Sequence, residues 1–158
     1  MARHLSRRLV RRLGDDTGTN IVEAALLTPL LLLLTFGIVD FAMLFSTYLA
    51  LENGVGQASR YAVTGNQAVG LSREASIIMA MRQATPTLTI ADQAFTFSHM
   101  TVGGNTWIGG SGGPGEIAKI RVDYTFTFLT PLIRPFFTNG QIRLAVESAM
   151  KNERRFER

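Results

Sequence analysis

The sequence contains no cysteine and only two histidines among its 158 residues. A disulfide framework and a thiolate metal site are therefore excluded, and the redox compartment stays open. His4 lies in a basic leader, and His99 has no nucleophile or carboxylate at the spacing of a catalytic motif. The sequence accordingly predicts no catalytic residues, no metal site and no enzyme.

Charged side chains are also scarce, at 18% of the chain, and the positive charge is concentrated at one end. Residues 1–18 hold five arginines and two aspartates, whereas the remainder holds 11 basic and 10 acidic residues. Because most of the chain is nearly neutral, nucleic acid is not expected as a partner. The G-x-G-x-x-G run at residues 110–115 precedes a strand pattern instead of a helix, so no dinucleotide or other cofactor is predicted.

What the chain does contain is one long apolar run, GTNIVEAALLTPLLLLLTFGIVDFAMLF, at residues 18–45. It is long enough to cross a membrane. Its apolar character continues at three- and four-residue spacing, which predicts one long helix over residues 19–63 that spans the membrane in its first part and is amphipathic afterwards. Pro29 removes one backbone hydrogen bond and predicts a kink, with a tolerated membrane proline as the alternative. The predicted apolar face of the amphipathic part comprises Phe41, Leu44, Phe45, Tyr48, Leu51, Val55, Ser59 and Ala62.

Basic leaders before apolar segments also occur in secretory signal peptides and in transit peptides. The apolar run here exceeds the usual signal-peptide length, and no clear small-x-small cleavage site follows it. A transit peptide would normally precede a soluble sequence. We therefore favour a single-pass anchor in contact with lipid, with the arginine-rich N-terminus in the cytoplasm and the C-terminal part outside it.

Glu23 and Asp40 interrupt the apolar run, although a carboxylate in lipid is costly unless it is paired. The two lie about 100° apart around a helix and so do not share a face. Asp40 is expected at the outer headgroup level, or against a polar group of a contact partner. Glu23 lies five residues after Gly18, and this spacing behind a basic leader resembles a class III signal cut by a prepilin peptidase between Gly18 and Thr19. A headgroup position is the alternative for Glu23.

Five short motifs are spread along the chain: G-x-x-x-x-E-A-A at residues 18–25, T-P-L-L at 28–31, F-G-I-V-D at 36–40, A-S-R-Y-A at 58–62 and S-A-M-K-N-E at 148–153. With these motifs the chain as a whole resembles the TadE-like family of pseudopilins from tight-adherence, Flp-type pilus systems. Ala24 stands where Flp-type pilins carry an aromatic residue, which argues against a major pilin.

The resemblance implies a minor pilin or pseudopilin of the bacterial inner membrane, with its C-terminal domain in the periplasm. Its partners would be the prepilin peptidase, other pilin subunits and inner-membrane assembly proteins, and its location would extend to the pilus itself. The resemblance also implies that Glu23 governs subunit assembly by meeting the Thr19 ammonium of a neighbouring subunit.

Residues 64–158 are expected to form an α+β domain outside the membrane. Residues 71–85 suit a short second helix, with Ser72 as its cap and Pro86 as its stop. The rest predicts a small antiparallel sheet of three to four strands, whose apolar face the long helix would cover. The strand patterns run from Phe95 to about Val102, from Ile120 to Phe128 and from Ile142 to Met150, with a short edge at residues 88–90.

Two segments of this domain are candidates for contacts. The glycine-rich loop at residues 103–115 predicts a flexible hairpin connection, and its Trp107 could anchor a partner, although folding back on its own sheet is favoured. The apolar segment TPLIRPFF at residues 130–137 could cover the sheet edge or touch another subunit.

Two function hypotheses remain open from the sequence. The first is a pseudopilin that assembles into a pilus through its N-terminal helix after cleavage of the leader. The second is a signal-anchored envelope domain that binds a ligand or supports a secretion complex without polymerising. The first predicts a processed N-terminus at Thr19, and the second predicts an intact Met1.

Overall fold

A computed structural model describes residues 16–154. Its dominant element is helix α1, Asp16–Val63, which has 48 residues and would measure about 72 Å at 1.5 Å per residue. The helix continues through Pro29, because the neighbouring leucines and alanines are strong helix formers. It therefore runs well beyond the body of the domain that follows it.

Helix α2, Arg73–Ala84, packs against α1. The Ser72 hydroxyl accepts a hydrogen bond from the Ala75 N–H at 3.2 Å, so the predicted cap is confirmed. Four strands follow: β1 (Phe95–Met100), β2 (Ile108–Gly109), β3 (Ile117–Thr127) and β4 (Gln141–Lys151). They form one antiparallel sheet in the order β2-β1-β3-β4, which confirms the α+β prediction.

The sheet has one buried and one solvent-facing side, as the alternating sequence predicts. Val122 pairs with Phe95 on one neighbouring strand and with Val146 on the other, and all three are buried. Arg121, the next residue on β3, points to the opposite side and is exposed. The period of two along β3 thus places its even-numbered residues toward the helices.

The second half of α1 and one side of α2 cover the buried side of the sheet. Helices α1 and α2 approach each other closely at Gly54, where an added Cβ would lie 2.5 Å from Thr85 Cγ2. The core formed here comprises Leu51, Val55, Ala58, Ala62, Ile77, Met81, Ile90, Phe95, Ile120, Val122 and Val146.

A second, smaller core lies nearer the N-terminus of α1, where the segment at residues 130–137 folds against α1 and the end of the sheet. Its buried members are Leu44, Phe126, Phe128 and Ile133, and Phe137 stacks on Phe128 with 4.1 Å between ring centroids. This segment therefore covers the end of the sheet beside α1.

The C-terminal end of the described chain is tied to the end of α1. The Glu153 N–H donates to the Val63 carbonyl at 3.1 Å, and Asn152, which is buried, donates to the Gly113 carbonyl at 2.9 Å. Arg73 donates to the carbonyls of Ala62 and Gly112. The second half of the glycine-rich loop is thereby held between helix α1 and strand β4.

The fourth strand differs from the predicted one. Residues 88–90 do not form a strand, because the Ile90 carbonyl accepts hydrogen bonds from the Arg82 guanidinium instead of from a neighbouring strand. The edge strand is β2, within the glycine-rich loop, which pairs with Ser98 and His99 of β1. Strand β1 also ends at Met100, two residues before the predicted end.

The buried face of α1 also differs in part from the predicted face. Phe45 is 64% exposed and Tyr48 is 39% exposed, while Ala58 is fully buried. Leu44, next to Phe45 in sequence, is buried in one cluster with Phe126 of β3, so the sheet reaches this level of α1 and Phe45 and Tyr48 lie to one side of the contact. The prediction was wrong for these two residues, and in part for Phe41, which is 42% exposed, because the side of α1 that is covered here is narrower than the apolar face in the sequence.

Candidate processing and assembly site

The first half of α1 projects beyond the domain and has almost no contacts within the chain. From residue 18 to residue 39 every residue is exposed except Leu33 and Gly37, which are partly covered by the second core. Within residues 16–154, α1 is the one helix that is long and apolar enough to cross a membrane, with a mean hydropathy of 2.2 in its most apolar window. Such a surface is stable only in lipid or against other apolar helices.

Gly18 and Thr19 lie in the first turn of this projecting helix. Both residues are exposed, and a Cβ added at Gly18 would have no atom within 4 Å. Nothing in the described fold therefore requires a glycine at this position.

Glu23 lies one helical turn after Thr19, on the same side of α1. Four residues correspond to a rise of about 6 Å, so a positive charge at Thr19 N would be near this carboxylate. Glu23 is exposed and makes no ion pair within the described part of the chain. Its carboxylate is thus available to a positive charge that the described chain does not place beside it.

An apolar groove of about 420 Å³ runs along about three turns of α1, from Leu30 to Phe41. Its lining residues recur at three- and four-residue spacing, which is the pattern by which one helix packs against another. Gly37 lies in this groove, where a Cβ would lie 3.6 Å from Ile133 Cδ1. The groove is lined by Leu30, Leu33, Leu34, Gly37, Ile38 and Phe41.

The two threonine hydroxyls in the middle of this half of α1, those of Thr28 and Thr35, are satisfied by the helix itself. The Thr28 hydroxyl donates to the Ala24 carbonyl at 2.6 Å, and the Thr35 hydroxyl donates to the Leu31 carbonyl at 2.8 Å. These bonds remove the cost of exposing hydroxyl groups to lipid. Pro29 stands one residue after Thr28, inside an unbroken helix; the predicted kink stays a prediction.

Asp40 marks the boundary between the projecting half of α1 and the domain. Its side chain is fully buried and accepts hydrogen bonds from Leu129 N at 3.0 Å, from Thr130 N at 3.2 Å and from the Thr130 hydroxyl. The partner of Asp40 thus lies in its own chain, at the start of the segment that leads into the second core. Asp40 fastens this segment to α1, a role that the sequence did not predict.

Trp107 lies far from these residues, on the solvent-facing side of the sheet. Lys119 Nζ is 4.2 Å from the centroid of its ring, and the indole is 40% exposed. Trp107 therefore folds back on its own sheet.

His99 is a half-buried strand residue. Its Nδ1 lies 3.2 Å from the Gly110 carbonyl oxygen and its Nε2 lies 3.8 Å from a Glu116 carboxylate oxygen. Among residues 16–154, no group of three or more histidine, aspartate or glutamate side chains could hold a metal ion.

The comparisons with known proteins agree with the predicted resemblance. The family model for TadE-like proteins matches residues 18–60, which comprise the processing motif, the projecting half of α1 and most of its buried half. The S-A-M-K-N-E motif at residues 148–153 lies outside the matched segment. No curated protein and no solved structure matches the chain.

Proposed function

From the match to the TadE-like family we propose that this chain is a minor pilin or pseudopilin of a tight-adherence, Flp-type pilus system. It takes part in assembly through the projecting half of α1 after a prepilin peptidase has removed residues 1–18. The observation that supports this most directly is the position of Glu23, an exposed carboxylate without an ion-pair partner at the start of a bare apolar helix. The sheet and the main core would then remain outside the membrane.

The surroundings of Gly18 support the processing step. A side chain at residue 18 would meet no other part of the described fold. We therefore attribute the glycine to a requirement of the protease that would cut after it. A protease that cuts beside the membrane needs an extended substrate, and a glycine near the helix start makes unwinding less costly. Cleavage leaves a new ammonium group at Thr19.

The Thr19 ammonium group of a neighbouring subunit would supply the partner that Glu23 lacks. In a water-poor environment a carboxylate is costly unless it is paired, and the pairing discriminates strongly between correct and shifted packing of two helices. The apolar groove around Gly37 offers a surface for a neighbouring helix further along α1. Charge pairing would set the register of the helices, and apolar packing would hold them together.

The topology follows from the arginine asymmetry of the chain. Five arginines precede α1, so the N-terminus is cytoplasmic and the sheet domain is outside the cytoplasm. For a bacterial pilus system the membrane is the inner membrane. A reporter that is active only outside the cytoplasm should therefore be active when fused to the C-terminus.

The test is to replace Glu23 with glutamine and to measure leader cleavage, membrane level and pilus incorporation in the same cells. We expect normal cleavage and normal insertion, since an amide is less costly in lipid than an unpaired carboxylate, together with a loss of incorporation. Glu52→Gln is the matched control, because Glu52 is an exposed carboxylate on the same helix, in the half that packs on the sheet.

The outcomes separate the two function hypotheses. Normal incorporation of Glu23→Gln would contradict the pairing and leave Glu23 a headgroup-level residue. An intact Met1 in the wild type, with no incorporation at all, would favour a signal-anchored envelope domain that does not polymerise.

A further inference from the structure

The segment at residues 129–137, which we call the apolar tip, carries three large apolar side chains that are exposed to the surroundings. Leu129 is 60% exposed, Leu132 is 44% exposed and Phe136 is 70% exposed. Other members of the same segment, such as Ile133, are buried in the second core, so the tip is well packed on one side and bare on the other. We propose that the apolar tip rests in the outer leaflet of the membrane that α1 crosses.

The position of the tip along α1 sets its depth. Asp40 binds the N–H groups of Leu129 and Thr130, and Ile133 packs beside Gly37. If the hydrocarbon region begins at Glu23, its thickness of about 30 Å takes up about 20 residues and ends near residue 43. Asp40 lies about 25 Å above Glu23 on the same scale. The tip is thereby fixed at the level of the outermost hydrocarbon, and this placement rests on the proposed membrane-spanning role of α1.

The exposed surface of the tip is continuous with the lipid-facing surface of the helix. Phe41 on α1 is 42% exposed and makes edge contacts with Phe128 and Phe137, with ring centroids 6.0 and 6.4 Å apart. The apolar surface of the membrane-spanning segment therefore extends sideways onto the domain. Such continuity commits the tip to the same environment as the helix beside it.

The backbone of the tip is suited to an environment that is poor in water. Arg134 donates to the carbonyls of Phe128 at 2.9 Å and of Leu129 at 3.4 Å, so these acceptors need no water. Residues 131 and 135 are prolines and have no N–H group to satisfy. Acceptors within the chain serve the N–H groups of every non-proline residue of the tip except Leu132, namely residues 129, 130, 133, 134, 136 and 137.

The charge of the tip also fits the level of the lipid headgroups. Arg134 is the one charged residue between Phe128 and Gly140, and no carboxylate lies in that stretch of sequence. An arginine whose stem follows an apolar surface can place its remaining N–H donors at headgroup phosphates. The tip would thus hold the domain at a defined height and tilt over the bilayer.

The absence of cysteine allows a direct test with single-cysteine variants of the full chain. Phe136→Cys and Leu132→Cys are each labelled with an environment-sensitive fluorophore in vesicles of phosphatidylethanolamine and phosphatidylglycerol. Leu31→Cys reports insertion of α1, and Ala149→Cys reports the solvent-facing side of the sheet. Each variant is measured with and without lipids that carry a quencher near the interface.

We expect the labels at residues 132 and 136 to emit at shorter wavelength and to lose several-fold intensity with the quencher lipid, while the label at 149 stays unchanged. If the labels at 132 and 136 behave like the label at 149 while the label at 31 is quenched, the tip does not touch the membrane and the inference is overturned. A label at 31 that is not quenched would instead contradict the membrane-spanning role itself. Shielding of residue 136 that appears only at high protein-to-lipid ratio would assign the tip to a second copy of the chain, against our proposal.

Discussion

Replacing Asp40 with alanine is expected to release the segment at residues 129–137 from α1 without unfolding the rest of the domain. The carboxylate is fully buried and is the acceptor for three donors, the N–H groups of Leu129 and Thr130 and the Thr130 hydroxyl. The alanine variant leaves all three without an acceptor. The main core, which joins α1, α2 and the sheet, involves none of these groups.

The magnitude follows from two opposing contributions. Hydrogen bonds to a charged acceptor contribute about 1.5–3 kcal/mol each, whereas removing a carboxylate from water costs several kcal/mol. We therefore expect the free energy of local opening to fall by about 2–4 kcal/mol. A change of about 3 kcal/mol corresponds to roughly 100-fold faster exchange of the released amides.

Amide hydrogen exchange of the full chain in detergent micelles measures this effect. The amides of Leu129 and Thr130 should exchange roughly 100-fold faster in Asp40→Ala, and less than that in Asp40→Asn, which keeps one acceptor oxygen. The amide of Val122 in the main core should be unaffected, and Glu52→Gln should change neither region. Unchanged exchange at Leu129 and Thr130 would refute the assignment of Asp40 as the fastening residue. An equal rise throughout the sheet would refute the separation into two cores.

Further predictions concern the helix contact and the sheet surface. Gly54→Ala should destabilise the domain by about 1–2 kcal/mol, because the added Cβ meets Thr85. Gly56→Ala has open space around the added Cβ and should be neutral or stabilise the domain by up to about 1 kcal/mol. Thermal unfolding in detergent compares the two variants. A stabilising Gly54→Ala together with a destabilising Gly56→Ala would contradict the close approach of α1 and α2. The Arg121 guanidinium beside Asp123 lowers the pKa of the Asp123 carboxyl. The ion pair therefore stabilises the folded chain fully above the ordinary carboxyl pKa of about 3.9, and this stabilisation is lost as pH falls through the lower pKa of the folded chain. Urea unfolding should show Asp123→Asn as less stable than the wild type at neutral pH, by at most about 1 kcal/mol, with the difference disappearing in acid; a difference that persists in acid would contradict the ion pair.

Much of the fold could be predicted because its elements obey local rules. The alternation along β3 fixes which side of the sheet is buried, and Ser72 followed by an amphipathic stretch fixes the start of α2. The long helix is evident from the apolar run alone. These features depend on the period of the backbone and on residues close in sequence.

The missed features depend on contacts between distant residues. Asp40 lies 89 residues before Leu129, and no local pattern pairs them, although a threonine followed by proline at 130 and 131 indicates a turn. The edge strand was predicted at residues 88–90, because its short apolar pattern resembles that of a strand. The neighbouring strand β1 instead pairs with β2 in the glycine-rich loop, which has no strong strand propensity of its own.

The position of Gly18, Thr19 and Glu23 at the start of a bare helix was predictable, whereas the distance of that helix from the rest of the domain was not. Exposure of residues 18–39 follows only from where the sheet packs, which is decided by Asp40 and by the core that begins at Leu44. The structure thus divides α1 into a first half that is largely exposed and a second half that belongs to the domain.

The proposed function requires that the chain is processed at the start of α1 and assembles through the helix that this exposes. The decisive measurement is the intact mass and N-terminal sequence of the protein purified from its native membrane. We expect a mature chain that begins at Thr19 in cells with the prepilin peptidase and at Met1 in cells without it. A chain that begins at Met1 in both would contradict it.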